Sequence, residues 1–177
     1  MTFADDLRAA GHIVHAPDLY DGRTFDDLRE GVAYAEQVGF AEIIRRGSEA
    51  AKALPADIVY AGFSLGVLPA QALAQTRPGA RGALFFHSCV SPAEFGTAWP
   101  EAVPLQIHMM DADEWTKEDR PAAEALVEQT PTVELFLYRG SGHLFADPSS
   151  GDYNEEAALL LKERALVFLH RVGQTPP

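Results

Sequence analysis

Three side chains in this sequence have the types and order of an acyl-transfer machine: Ser64, Asp113 and His143. Ser64 is the centre of Gly62-Phe63-Ser64-Leu65-Gly66, a G-x-S-x-G pentapeptide that follows an apolar run over residues 58–61 and precedes a helical pattern over 67–75. A serine at the apex of a tight strand-to-helix turn is a nucleophile elbow, and the glycines are expected where a Cβ would clash with the crowded backbone. Serine is a weak nucleophile at its own pKa, so it needs a base within hydrogen-bond reach and an acceptor to orient that base. His143, in Gly140-Ser141-Gly142-His143, is expected on an adaptable loop as the base, and Asp113 supplies the acceptor. The N–H of Leu65, directly after the serine and beside a helix N-terminus, is the expected donor to an oxyanion.

The elements that must position them follow from hydrophobic periodicity. Phe3 and Leu7 mark a short amphipathic helix over residues 3–10, closed by Gly11. Residues 12–16, around Ile13 and Val14, predict a first strand, and residues 17–22 are turn chemistry at its exit. Thr24 is the expected cap of the next helix with Asp27 at N3, Gly39 should break that helix, and a further one is predicted over 40–54, ending at Pro55. It should turn Ile43, Ile44, Ala50, Ala51 and Leu54 toward the core. Residues 82–87 (GALFFH) read as a strand buried on both faces, residues 104–110 and 133–138 as two more, with a helix from Asp119 and Pro121 to Gln129 between them. Residues 91–100 are irregular, and a long amphipathic helix over 154–172 ends the pattern. Strands alternating with helices predict an α/β fold with a doubly wound, mainly parallel sheet, in one domain over residues 1–177. In such a sheet reactive groups gather at the C-terminal strand ends, and all three candidates follow a predicted strand.

Composition narrows the partners. Lys and Arg number 14 against 26 Asp and Glu, a net charge of -12. Neither nucleic acid nor a membrane surface is an expected partner for such a chain. With no run of the roughly 20 apolar residues that span a bilayer, and a first stretch lacking signal-peptide character, the expected location is cytoplasmic. The single cysteine, Cys89, allows no internal disulfide and is expected as a buried thiol. His12, His15, His87 and His108 sit in or beside strands without metal-ligand spacing, so no metal or other cofactor is expected. Trp99, Trp115 and His87 are candidate pocket walls at strand exits. Pro69 is unexpected inside the helix after the elbow, since it removes an N–H.

Four stretches together, FADDLRAAGHIVHAPDLYDG, GFSLG, PLQIHMMDADEW and YRGSGHLF, resemble the dienelactone hydrolase family of the α/β-hydrolase fold, in family order and over nearly the whole chain. The resemblance implies Ser64 as nucleophile, His143 as base and Asp113 as acid; Asp111 competes for the last role, and the family's strand alignment favours Asp113. It implies a small ester, lactone or thioester as substrate. The founding members carry cysteine where Ser64 stands. Family members also have strands ahead of the position of Phe3, the last of which lies between the strands of residues 12–16 and 58–61 and leads into a loop donating a second oxyanion N–H. By that alignment the chain is N-terminally truncated, with two expectations: the two strands closed up, or another chain filling the gap, or their edges open beside a solvent-filled groove; and weak hydrolysis that upstream residues would raise together with stability. The rival reading is a catalytically weak or inactive α/β-hydrolase domain serving as a binding module.

Overall fold

The computed structural model describes residues 2–96 and 98–174. Met1 and residues 175–177, counted in the expected domain, and Thr97, in the irregular stretch 91–100, lie outside the described residues. Four strands, β1 (Val59–Phe63), β2 (Gly82–Phe86), β3 (Leu105–Met110) and β4 (Val133–Tyr138), form one sheet in that order, each neighbouring pair parallel. The apolar run of β2, and β3 with Gln106 and His108 among its apolar residues, are buried at every position, because helices cover both faces.

Strand alternation sorts the core into two layers. Ala83, Phe85, Leu105, Ile107 and Met109 face α3 (Phe40–Ala51), α4 (Val67–Thr76) and α5 (Arg120–Gln129), meeting Ala51, Val67, Ala70, Ala123 and Leu126. Leu84, Phe86, Met110 and Tyr138 face α6 (Glu155–Gln174) and α1 (Phe3–Ala9), meeting Leu161, Ala165, Phe168 and Phe3. Phe85, Phe86 and Phe168 are fully buried, and each such ring contributes about 1.5–3 kcal/mol over an exposed one. The sheet is therefore doubly wound, as the alternating pattern predicts.

Several local expectations change. The helix after the turn is α2 (Leu28–Val38), and its cap is Asp27 rather than Thr24: the Asp27 carboxylate accepts from the N–H groups of Arg29 and Glu30 at 2.8 and 3.1 Å. Gly39, at φ 91°, does divide α2 from α3. That second helix stops at Ala51, short of Leu54, and Ala50 is exposed rather than in the core. Pro69 also finds an explanation. Because Ser64–Gly66 forms a separate 3-10 turn, Pro69 lies in the first turn of α4, where a missing N–H costs no intrahelical bond. Its ring packs on α3 so closely that a Cβ built on Gly47 would come within 2.5 Å of Pro69 Cβ.

The main departure is the expected first strand. Residues 12–16 pair with no described strand, and Ile13 is 89% exposed. Among the described residues β1 pairs with β2 alone, which leaves its other edge open. Between that edge and residues 13–17 runs a groove of about 660 Å³, lined by Val14, Ala50, Ile58, Ala61 and Leu73 among others. A strand exists through its ladder of backbone hydrogen bonds, and the groove separates the apolar Ile13-Val14 pair from the open edge of β1.

Candidate active site

The elbow is built as its residue types dictate. Ser64 follows the last residue of β1 and takes φ 48°, a left-handed conformation uncommon outside glycine. Gly62 is required: a Cβ there would lie 2.3 Å from the Gly66 carbonyl oxygen. Gly66 carries no such requirement, since its own Cβ would meet nothing within 4 Å and its φ is -62°. Ser64 and Leu65 open the 3-10 turn leading into α4, so their N–H groups lie at a helix start, where amides lack intrahelical acceptors.

Asp113 stands just past β3 and His143 past β4, and the parallel sheet brings both to the end of the molecule where β1 delivers Ser64. Ser64 Oγ lies 2.7 Å from His143 Nε2, and His143 Nδ1 lies 2.7 Å from Asp113 Oδ2. With Nδ1–H donating to the carboxylate, Nε2 is left to accept from the serine hydroxyl. The His143 and Asp113 side chains are 5% and 1% exposed, whereas Ser64 is only half-buried and faces a cleft. The second Asp113 oxygen accepts from the Trp115 N–H at 2.9 Å, which fixes the carboxylate plane.

The competing carboxylate has a different place. Asp111 Oδ1 accepts from the Gly140 N–H at 3.0 Å and so ties the exit of β3 to that of β4. It bonds the loop that carries His143, not the ring. The loop is also less adaptable than its glycines suggest, because Asp152 Oδ2 accepts from the N–H groups of His143 and Leu144 at 3.0 and 3.3 Å. Sequence reasoning missed Asp152; its only signal was turn chemistry in Ser149-Ser150-Gly151-Asp152 ahead of α6.

Of the three candidate walls, Trp115 borders the site: it is 43% exposed, its ring is 5.8 Å from the His143 ring, and the Arg29 guanidinium lies over it at 5.7 Å. Trp99 does not. It is a core residue, 5% exposed, meeting Phe85 edge-on and donating its indole N–H to the Val103 carbonyl at 2.8 Å. His87 lies under the site rather than on a wall, 1% exposed and 5.9 Å from the His143 ring. Burial holds its ring neutral, with its pKa lowered to about 3. Cys89 is fully buried, and burial pushes its thiol pKa up, as expected of an inert core thiol. The cleft before Ser64 has a volume of about 650 Å³ and is lined by Tyr20, Phe25, Leu28, Leu65 and Leu144 among others. Among the described residues no group of three His, Cys, Asp or Glu side chains could hold a metal ion, and no helix is long and apolar enough to cross a membrane.

The model of the dienelactone hydrolase family matches residues 1–173. No curated protein matches the chain. Among solved structures, a putative dienelactone hydrolase from Klebsiella pneumoniae superposes with a TM-score of 0.66 at 18% identity, covering 90% of this chain and 74% of its own. A dienelactone hydrolase-like promiscuous phosphotriesterase from metagenomic libraries gives 0.64 at 17%, covering 89% and 73%. Thermogutta terrifontis esterase 2, phosphonylated by cyclosarin, gives 0.53 at 22%, covering 78% and 64%. At these identities the likeness is one of fold.

Proposed function

Since this chain belongs to the dienelactone hydrolase family and is a hydrolase, we propose that it cleaves a small carboxylic ester, lactone or thioester through an acyl-enzyme on Ser64. The observation that carries this reading is the unbroken line Asp113–His143–Ser64, with both contacts at 2.7 Å. His143 Nε2 takes the Ser64 proton as Oγ attacks the carbonyl carbon, and Asp113 stabilises the imidazolium that forms. The negative charge that develops on the carbonyl oxygen is met by the Leu65 N–H at the helix start. Collapse of the tetrahedral intermediate expels the alcohol, thiol or ring oxygen, which receives the proton from Nε2. Water then enters and gives a proton to Nε2 as it attacks the acyl carbon, and collapse of this second intermediate breaks the bond to Ser64 Oγ, which takes the proton back from Nε2 as the acid leaves.

A cleft of about 650 Å³ suits a small substrate, and its lining, leucines and aromatics beside Arg23, Asp26, Asp27 and Asp147, suits one with both apolar and polar parts. Two structural neighbours, an esterase and a promiscuous phosphotriesterase, are named for hydrolytic chemistry, which supports the reading. The proposed reaction needs no cofactor. Ser64→Ala and His143→Ala are each expected to lower kcat on an activated ester by about 10³-fold or more, and the double variant no further, because the two act as a unit. Losses that multiply in the double variant would overturn the assignment.

A further inference from the structure

His87 breaks two rules at once, directly beneath the reactive histidine. It follows the last residue of β2 with φ 66°, and the described residues hold only two other non-glycine residues at positive φ, Asp21 and Ser64. Its ring is 1% exposed, yet neither Nδ1 nor Nε2 has a hydrogen-bond partner. A phenyl or aliphatic side chain would fill the same space without leaving two buried polar atoms unpaired. Conflicts of this kind between local rules and fold concentrate where a site needs them.

The surroundings define what the ring can do. Its edge-on contact is Phe145, at 4.6 Å and 90°, and its tilted neighbours are Phe63 at 5.6 Å and His143 at 5.9 Å. The titratable and charged groups facing it are His143, Asp113, Asp147 and His108. The left-handed backbone thus sets an unpaired imidazole between the residue that precedes the nucleophile and the ring that takes its proton. An imidazole that stays neutral offers a lone pair and a dipole with no charge of its own, so it can favour a positive charge next to it without competing for Asp113.

We propose that His87 is a positioning residue for His143, a neutral polar floor that holds the ring on the Ser64–Asp113 line and stabilises its imidazolium during proton transfer. This rests on the triad reading above. In the resting enzyme its nitrogens are unpaired; their use comes when His143 carries the proton.

The test compares His87→Phe, which keeps a planar ring, with His87→Asn, which keeps a polar side chain and tolerates positive φ. On an activated ester, His87→Phe is expected to lower kcat about tenfold with KM within about twofold, the size of effect that polar neighbours have on a buried charge. The midpoint of the acid limb of kcat/KM should move to lower pH, because the imidazolium has lost a polar neighbour. His87→Asn should keep kcat within about threefold and leave the limb in place, since a polar neighbour remains. A Phe variant with the parent's kcat and limb would overturn the proposal, as would Phe and Asn variants impaired alike. Should His87→Phe fail to fold, His87→Ala replaces it, and equal kcat for the Ala and Asn variants overturns the proposal in the same way. A parent whose Ser64→Ala variant keeps full activity would remove the triad reading, and this inference with it; that result appears before any His87 substitution is made.

Discussion

A single carboxylate oxygen of Asp152, a residue that also lines the cleft, accepts from the N–H groups of both His143 and Leu144, so the position of the His143 loop depends on it. Removing it frees a loop whose exact placement matters, because a shift of about 1 Å at a reacting group costs on the order of 10² in rate. Asp152→Ala is expected to lower kcat by about 10–100-fold while KM changes little, measured by steady-state hydrolysis of an activated ester. A variant with unchanged kcat would mean that Gly140 and the Asp111 bond hold the loop unaided. At this scale the three residues that meet at the strand ends were legible and their supports were not. Ser64, Asp113 and His143 stand out because each follows a strand in the order the chemistry uses. Asp152 and Asp27 act on backbone amides through turns, where any of several acidic residues would read alike. Trp99 misled for the opposite reason: an indole in an irregular segment suits a pocket, but its N–H found the Val103 carbonyl and the ring joined the core.

Elements were read best where both faces are covered. β2 and β3 are buried throughout, and their observed bounds fall within a residue of the expected ones. Residues 12–16 have strand composition, yet no ladder partner lies beside them, and composition alone cannot supply one. Of the three outcomes expected beside β1, strands closed up, a gap filled by another chain, or open edges beside a groove, the described residues show the third at β1 alone, since residues 12–16 form no strand. The contact between α3 and α4 depends on the absence of a side chain: Gly47 meets the ring of Pro69. Gly47→Ala is therefore expected to destabilise the fold by about 1–3 kcal/mol through overpacking, despite the better helix propensity of alanine. Urea denaturation measures it, and Pro69→Ala in the same chain should recover part of the loss. A Gly47→Ala variant as stable as the parent would show that the two helices separate at no cost.

For the molecule as a whole, two of the buried histidines, His87 and His108, set a direction for stability against pH. Burial holds both His87 and His108 at a pKa of about 3, with the neighbouring charges of His143 and Arg164 acting the same way. In the unfolded chain a histidine titrates near 6.5. Between those values the unfolded state binds more protons, so stability falls as pH falls below about 6.5, and above it neither ring adds a slope. Each contributes about 1.4 kcal/mol per pH unit within that window. His108→Phe should therefore make the decline between pH 6 and 4 shallower by that amount in urea melts, and an unchanged slope would contradict the assignment. The central claim is that the folded chain presents Ser64 as an activated nucleophile. It is tested most directly by treating the natively folded protein with a fluorophosphonate and locating the adduct by peptide mass spectrometry. The expected result is one adduct per chain, on the peptide containing Ser64, abolished in His143→Ala; a folded sample that takes up no probe, or takes it elsewhere, would contradict the claim.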